Sequence, residues 1–207
     1  MKIGFNPNFA PFSYLENQKP AGIIIERIME IFEKANIPAE FVPAELTGLI
    51  EGLMAGQFDI LAALAKTEER TKTLAFSKPV IVSGGAWFMA RSNNPLVDDE
   101  RPKTVVTPKV GPLVAQISSL YPEISIILTD DYDSALMDVL AGKADAVALN
   151  WHVGKMLVAQ TYDGQFHIPK APFNTMPLYM ATKIEDQQNI ISQLNTHIPD
   201  DWGPDPL

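Results

Sequence analysis

The hydrophobic and polar positions of the chain follow two alternating periods, which predict an α/β fold. Short apolar runs at residues 2–5 and 39–43 end at asparagine or proline and are typical of strands. Between them, apolar side chains three or four positions apart predict an amphipathic helix over residues 23–35. A second amphipathic helix is predicted over residues 46–55, and Gly56 ends it.

One pattern occurs twice along the chain. Residues 55–63 and 141–149 each follow an amphipathic helix, and each consists of Ala-Gly, two further residues, an aspartate and an apolar strand. A helix that ends at glycine and leads into a fully apolar strand is typical of a buried parallel strand with a crossover helix. Because the pattern occurs once in each half, the sequence predicts two similar α/β lobes, each too small to be a stable domain alone.

The remaining patterns predict how the chain passes between these lobes. Residues 77–90 are predicted to form one extended crossing strand, residues 178–182 a late strand and residues 184–197 a final helix. Further helices are expected at residues 113–120 and 151–160, with strands at 104–106 and 124–128. We therefore expect lobe 1 to contain residues 1–82 and 177–207, and lobe 2 to contain residues 83–176.

Composition and charge exclude several classes of function. The 207 residues carry 16 Lys and Arg against 25 Asp and Glu, a net charge of −9, which argues against nucleic acid or an anionic membrane surface as a partner. The chain has no cysteine, and its three histidines are not at metal-ligand spacing, so we expect neither a metal nor a cofactor. No apolar run reaches the ~20 residues of a membrane span. Met1 leads directly into the first strand, so we expect either a cytoplasmic protein or a mature domain with an added start methionine.

The candidate ligand-binding residues follow the two repeated strands. Ligands of parallel α/β sheets bind beyond the carboxyl ends of the strands, where helices begin. Thr67 can cap a helix with Arg70 in its first turn, and Asn150 can cap the helix that follows it. If the lobes face each other, both ends look into one cleft, where Arg70 can bind a carboxylate through two hydrogen bonds.

Each of these residues also has a plain structural interpretation. Arg70 can be a surface residue beside Glu68 and Glu69, and Asn150 can be only a cap. Phe9, Phe12, Tyr14 and Trp87 are of the types that fill cores, and His152 is expected at the surface or where the lobes meet. Asp59 and Asp145 are expected to cap helices or turns. The paired carboxylates Asp98-Asp99 and Asp130-Asp131 lie in polar loops, where solvation is the default.

Several motifs together resemble family 3 of the solute-binding proteins, the amino-acid receptors of ABC transporters. The similarity runs through residues 8–14, residues 46–60, Thr67-Glu68-Glu69-Arg70 with Phe76-Ser77-Lys78-Pro79, and residues 140–146. The resemblance implies a two-lobed type 2 periplasmic-binding fold with two crossing hinge strands, which closes on its ligand as a flytrap. It also implies that Arg70 holds a ligand carboxylate, that Phe9 stacks over the ligand and that Asn6 and Leu46 lie near its side chain. The loop from Ala63 to Thr67 would donate backbone N–H groups.

Three departures from the family pattern change the expected ligand. Ala63 and Ala65 stand where family members often have hydroxyls, and Gly111-Pro112-Leu113 lacks the usual hydroxyl at the start of its helix. Asn150 stands where the family usually has an acid for the α-ammonium of the ligand. A small carboxylate without an ammonium, or an unusual amine, is therefore a credible ligand. The predicted ligand-binding residues are Arg70, Phe9, Asn6, Leu46, Ala63, Ala65, Thr67, Pro112, Leu113 and Asn150.

The predicted function is capture of a small carboxylate-bearing ligand, an amino acid or a related compound, for an ABC transporter. Its partner would be a membrane permease, and the chain is expected to be a periplasmic or extracellular monomer without its signal peptide. One alternative is the extracytoplasmic input domain of a sensor kinase, with a downstream signalling domain. Another is a dehydratase for cyclic carboxylates on the same fold, but no general acid is evident at the strand ends, so no enzyme is expected.

Overall fold

The computed structural model describes residues 1–92, 101–109, 112–186, 190–200 and 202. The chain divides into two compact units, and it passes from one to the other twice. Unit 1 contains Met1–Val82 and Met176–Leu207, and unit 2 contains Ser83–Thr175. Both units combine helices with a sheet that contains parallel strands, so the predicted α/β class is confirmed.

The boundaries of most elements lie within a few residues of the sequence-based ones. The strands are β1 (Lys2–Phe5), β2 (Asn8–Phe9), β3 (Ser13–Glu16), β4 (Lys19–Ala21), β5 (Glu40–Pro43), β6 (Ile60–Ala65), β7 (Leu74–Ser83), β8 (Gly85–Phe88), β9 (Thr104–Pro108), β10 (Ser125–Thr129), β11 (Ala146–Asn150) and β12 (Met176–Lys183). The α-helices are α1 (Ile23–Lys34), α2 (Leu46–Met54), α3 (Leu113–Leu120), α4 (Tyr132–Leu140), α5 (Trp151–Thr161) and α6 (Ile190–Asn195). Short 3₁₀ turns cover Arg70–Lys72 and Ile184–Asp186.

Unit 1 is built on a five-stranded sheet in the order β5-β1-β6-β12-β7. β1 runs parallel to both β5 and β6, and β12 runs antiparallel to β6. A small second sheet has the order β2-β3-β4. The predicted amphipathic character of α1 is confirmed, because Ile24, Ile28, Ile31 and Phe32 are all fully buried. The parallel arrangement brings the carboxyl ends of β1, β5 and β6 to the same edge of the sheet.

Unit 2 is built on a four-stranded sheet in the order β10-β9-β11-β8. β10, β9 and β11 are parallel, and β8 runs antiparallel to β11. Val105 and Val106 are adjacent on β9 and pack into different clusters, one with Ile117 of α3 and one with Leu136 of α4. Successive side chains of a strand point to opposite faces, so α3 and α4 cover the two faces of this sheet.

The repeated aspartate has the same role in both units. Asp59 Oδ2 accepts the N–H of Lys2 at 2.7 Å, and Asp145 Oδ2 accepts the N–H groups of Lys103 and Thr104, both at 2.9 Å. The aspartate's own N–H donates back to the carbonyl of Lys2 in unit 1 and of Thr104 in unit 2. The two aspartates therefore tie parallel strands together at their amino ends. The expectation that they cap helices or turns was wrong.

The predicted continuous strand over residues 77–90 was also wrong. The structure has two strands, β7 and β8, separated by Gly84. A Cβ on Gly84 would lie 1.8 Å from the carbonyl oxygen of Asn174, and one on Gly85 would lie 2.4 Å from the ring of Phe173. The two glycines are needed because the segment around residues 173–174 approaches the backbone this closely. That segment is distant in sequence, so no local pattern indicated the break.

The predicted final helix over residues 184–197 is shorter in the structure. Residues 184–186 form a 3₁₀ turn, in which the N–H of Ile184 donates to the carbonyl of Thr73, and α6 ends at Asn195. Asn195 uses Oδ1 to accept the N–H of Lys78 at 2.7 Å, so this end is fixed by β7. Residues 187–189 lie outside the described residues.

Because Asp145 links two strands by hydrogen bonds, its substitution is expected to lower the free energy of unfolding by an amount that depends on the new residue. Asp145→Ala removes the acceptor of two hydrogen bonds and is expected to lower the free energy of unfolding by about 1–2 kcal/mol. Asp145→Asn keeps an acceptor for both N–H groups without the charge, and should lose less. Urea unfolding followed by circular dichroism measures both. Equal stability of Asp145→Ala and the parent would contradict this role.

Candidate functional site

The unit 1 part of the predicted site lies at the shared carboxyl edge of β1 and β6. Asn6 follows β1 directly, and Ala65 is the last residue of β6. Ala63 is half-buried and Ala65 is exposed. α2 begins at Leu46 after β5; the Leu46 side chain lies outside the described part. The topology therefore brings backbone from three segments to one edge of the sheet.

Arg70 is held at this edge by the strand that precedes it. Its Nη1 donates to the carbonyl of Ala65 at 2.8 Å, and its N–H donates to Thr67 Oγ1 at 3.3 Å. The Thr67 hydroxyl thus accepts one N–H of the following segment, but that segment is a three-residue 3₁₀ turn, with Glu69 as its N-cap residue, and not the predicted helix. Arginine has five N–H donors, and the bond to Ala65 uses one of them. A half-buried guanidinium fixed in this way can still bind a carboxylate.

Asn6 and Phe9 lie just after β1, since Asn6 follows that strand and Phe9 is the last residue of β2. Asn6 Oδ1 accepts the N–H of Asn8 at 3.0 Å, and its carbonyl accepts the hydroxyl of Ser13 at 2.7 Å. Phe9 is half-buried, with its ring centroid 4.7 Å from that of fully buried Phe12. Phe12 is therefore core, whereas Phe9 retains an exposed ring surface on a fixed backbone.

Asn150 caps α5, as its position predicts. Its Oδ1 accepts the N–H groups of His152 at 3.0 Å and Val153 at 3.3 Å, and the hydroxyl of Ser83 at 3.2 Å. Within the described residues, every hydrogen bond of the Asn150 side chain involves Oδ1. The amide oxygen is thus committed to the fold, and the amide NH₂ is the group that remains for other partners.

Pro112 and Leu113 lie at the start of α3. Pro112 is exposed and precedes the helix without a side-chain cap, while half-buried Leu113 packs against the cluster that contains Ile117 and Phe173. Gly111 lies outside the described residues. α3 therefore offers a ligand its uncapped N–H groups at this end, and its first apolar side chain belongs to the core of unit 2.

A buried polar group beside Asn150 was missed from the sequence. His152 is fully buried, which excludes the surface position, one of the two that the sequence left open. Its Nδ1 lies 2.7 Å from Ser83 Oγ, and Ser83 is itself buried. A hydroxyl has one hydrogen, so both contacts are satisfied when His152 Nδ1–H donates to Ser83 and Ser83 donates to Asn150. Ser83 ends an apolar strand, and nothing in its local pattern indicates this pairing.

The acidic pair Asp130-Asp131 has structural partners. Asp131 caps α4 by accepting the N–H of Ser134 at 2.7 Å, and this hydrogen bond lowers the pKa of the Asp131 carboxyl. Asp130 lies 2.5 Å from Lys109, and its hydrogen bond raises the pKa of that lysine. Asp98 and Asp99 lie outside the described residues. Within the part that the structure describes, acidic and histidine side chains form no group of three that could hold a metal ion, and no helix is long and apolar enough to cross a membrane.

Comparisons with known proteins define the class of this chain. The profile of the bacterial extracellular solute-binding proteins, family 3, matches residues 1–167, and the chain belongs to this family. It is 27% identical over 164 residues to the probable histidine-binding protein of Campylobacter jejuni, covering 77% of this chain and 63% of that protein. It is 23% identical over 175 residues to the virulence sensor protein BvgS of Bordetella pertussis, covering 83% of this chain and 14% of the sensor.

Solved structures of two-lobed solute-binding domains share the fold. The second substrate-binding domain of a protein assigned to amino acid ABC transporters from Streptococcus pneumoniae aligns with a TM-score of 0.77, at 23% identity, over 95% of this chain and 91% of that one. The VFT2 domain of B. pertussis BvgS, as a double mutant, aligns with a TM-score of 0.73, at 23% identity, over 95% of this chain and 85% of that one. The predicted fold class is thus confirmed. The chain spans 57 to 63% of the length of the first amino-acid-binding relatives.

The cap geometry predicts how Asn150 contributes to stability. Asn150→Ala removes the cap of α5 and should lower the free energy of unfolding by about 1 kcal/mol, whereas Asn150→Asp caps equally well and should keep the parent value. Thermal unfolding without added ligand measures both variants. A parent-like Asn150→Ala would show that the cap is not needed.

Proposed function

We propose that this chain is the extracytoplasmic receptor of an amino-acid-type ABC transporter and binds a small ligand with a carboxylate. The observation that carries the proposal is Arg70, whose guanidinium is fixed by the end of β6 at the carboxyl edge of the unit 1 sheet. Membership of a solute-binding family supports a receptor, and the family description supports a periplasmic or extracellular location. The partner is a membrane permease that takes up the ligand.

The proposal assigns the ligand carboxylate to Arg70 and the N–H groups that follow β6. The planar guanidinium matches the two oxygens of a carboxylate, and Thr67 holds the Arg70 backbone. Phe9 supplies an apolar ring for the body of the ligand, with Asn6 and the start of α2 at Leu46 nearby in the chain topology. Ala63 and Ala65 add backbone groups without hydroxyls.

The unit 2 residues are proposed to bind the remainder of the ligand. Asn150 offers an amide NH₂, since its oxygen caps α5, and Pro112 and Leu113 bring the uncapped start of α3. These groups are hydrogen-bond donors, and a donor favours a carbonyl or a second carboxylate over an ammonium. A buried ammonium needs an anionic partner, which Asn150 does not supply. We therefore propose a ligand that lacks the α-ammonium of a common amino acid.

Binding without catalysis is part of the proposal. The amino-acid-binding relatives are named as binding proteins, and the carboxylates of Asp130 and Asp131 are engaged by Lys109 and Ser134. A bound ligand should be recovered unchanged after long incubation. Turnover of prephenate or arogenate would instead support the dehydratase interpretation.

A sensory role is the second candidate, and the similarity to BvgS favours it. Three BvgS sensors match the chain in sequence, and BvgS VFT domains match it in fold. A sensor domain would bind its ligand through the same residues but pass the signal to a kinase domain. The sequence of the full-length gene and of its neighbours distinguishes the sensor from the transport receptor. A downstream membrane span and kinase domain favour sensing, and a neighbouring permease gene favours transport.

The ligand class can be identified by a thermal-shift screen of amino acids, their des-amino analogues and small dicarboxylates. A ligand at 100 times its Kd adds about 2.7 kcal/mol to the free energy of unfolding, which is readily detected. The proposal expects hits among the carboxylates without an amine. A screen in which only uncharged compounds stabilise the protein would contradict it.

The carboxylate role of Arg70 predicts a large loss of binding on truncation. Arg70→Ala leaves the bound carboxylate without its partner, and the best carboxylate from the screen should bind more weakly by about 2–5 kcal/mol. Arg70→Lys should recover little, because an ammonium lacks the planar fork. Isothermal calorimetry measures the Kd of each. Arg101→Ala is the matched control, since Arg101 pairs with Glu123 in unit 2. Equal affinity of Arg70→Ala and the parent would contradict the site assignment.

The uncharged cap at position 150 predicts a change of ligand preference on substitution. Asn150→Asp adds a negative charge while keeping the cap, so a zwitterionic amino acid should bind more tightly by about 1–3 kcal/mol and its des-amino analogue more weakly. Calorimetry with one such pair of compounds on parent and variant tests this. An unchanged preference would leave Asn150 as a cap alone, and nanomolar binding of a common amino acid by the parent would refute the ligand class.

A further inference from the structure

Among the strands that the structure describes, β10 is an edge strand of the unit 2 sheet. β10 is the first strand in the order β10-β9-β11-β8, and β9 is its one neighbour among the described strands. The N–H of Ser125 donates to the carbonyl of Lys103, and the carbonyl of Thr129 accepts the N–H of Lys109. Backbone groups alternate in direction along a strand, so Ser125, Ile127 and Thr129 face β9. The N–H and C=O groups of Ile126 and Leu128 therefore face outward.

The other long edges of the described sheets are protected. On β8, Gly85 exchanges hydrogen bonds with residues 173 and 174, its carbonyl accepting the N–H of Phe173 at 2.7 Å. On β7, the N–H of Lys78 and the carbonyl of Val80 are bonded by the side chains of Asn195 and Arg27. On β5, Pro43 occupies an outward-facing position and has no N–H to offer. These are the usual devices against edge-to-edge pairing.

Within the described part of the chain, β10 has none of these devices, and exposed apolar side chains surround it. Its sequence, Ser-Ile-Ile-Leu-Thr, contains no proline, glycine or charge. Of the described large apolar side chains that are exposed, half lie on β10 or on the helices that flank it: Leu120, Ile127, Leu128, Tyr132 and Met137. An open, regular and apolar edge of this kind favours pairing with another strand.

We propose that β10 pairs antiparallel with β10 of a second copy of this chain, centred on Ile127. In this register Ile126 lies opposite Leu128 of the second copy, and both residues present outward-facing N–H and C=O groups. The outward-facing N–H and C=O groups of Ile126 and Leu128, four on each copy, then all have a hydrogen-bond partner in the other copy. Ile127 lies opposite itself as a non-hydrogen-bonded pair, in which side chains are closest. A strand whose outward residues are symmetric about its centre is complementary to itself under a two-fold axis.

The charges at the two ends of β10 also suit this pairing. Arg101 and Lys103 accompany Glu123 at the start of the strand, and Arg101 lies 3.1 Å from Glu123. Asp130 and Asp131 follow the strand with Lys109 as their neighbouring cation. The carboxylate of Asp145 also lies at the first end, where it accepts the N–H groups of Lys103 and Thr104, so the charges of that end balance, whereas the second end has an excess of negative charge. Antiparallel pairing places the negative end of each copy beside the balanced end of the other, whereas parallel pairing would place the two negative ends together. This proposal replaces the expectation of a monomer.

Single cysteines test the register, because the chain has no cysteine of its own. Ile127→Cys places two Cα atoms about 4.5 Å apart across the two-fold axis, close enough for a disulfide. Ser125→Cys is the matched control, since the same register separates its two copies by four residues, about 14 Å. Under mild oxidation at high protein concentration, Ile127→Cys should give a covalent dimer within minutes and Ser125→Cys at least tenfold less. Equal crosslinking of both variants, or none in either, would overturn the proposal.

Sedimentation velocity of the unmodified chain provides the second test. One strand pair buries less than the ~1,200–2,000 Å² of a standard interface, so the dimer should dissociate on dilution. Ile127→Lys places like charges opposite each other and should weaken dimerisation by roughly tenfold or more. Met29→Lys is the control, because Met29 is similarly exposed on α1 in unit 1. Circular dichroism checks that both variants fold. A parent that stays monomeric at the highest concentration, or a dimer that Ile127→Lys leaves intact, would show that β10 is not the interface.

Discussion

The fold of each unit depends on one parallel pairing, fixed by an aspartate. A parallel strand cannot be joined to its neighbour by a tight turn, so its register must come from contacts distant in sequence. In unit 1 the carboxylate of Asp59 reaches Lys2, and in unit 2 that of Asp145 reaches Lys103 and Thr104. These bonds align the amino ends of two strands, and the alignment then sets where their carboxyl ends stop. The positions of Asn6 and Ala65, and of Asn150, follow from it.

The sequence predicted most elements because their patterns are local. The helices over residues 23–35 and 113–120 and the two repeated strands have a clear period, and the structure places them within one or two residues. The errors have a common cause. The break at Gly84 depends on Asn174, the early end of α6 on Lys78, and the burial of His152 on Ser83. Each involves a partner far along the chain, which periodicity does not detect.

The candidate site was partly accessible from the sequence for the same reason. Asn150 as a cap follows from its position before a helix and is confirmed, whereas Thr67 accepts the N–H of Arg70 beside a turn whose N-cap residue is Glu69. That Arg70 lies in a 3₁₀ turn and is fixed by Ala65 could not be predicted, because the bond depends on where β6 ends. The three hydrogen bonds accepted by the Asn150 oxygen could not be predicted either. They leave the NH₂ group of the amide for a partner. The family resemblance proposes the positions of the site, but it does not indicate the direction of the groups that they offer.

The stability of α5 does not explain why position 150 is asparagine. Aspartate caps a helix equally well, and the helix dipole favours a negative charge at this end. The oxygen at position 150 accepts the hydroxyl of buried Ser83 and the N–H of buried His152, and either residue can supply that oxygen. What asparagine adds is an NH₂ donor, which a carboxylate does not have. A partner that accepts a hydrogen bond from this NH₂ is therefore the interaction that would distinguish asparagine from aspartate at this position.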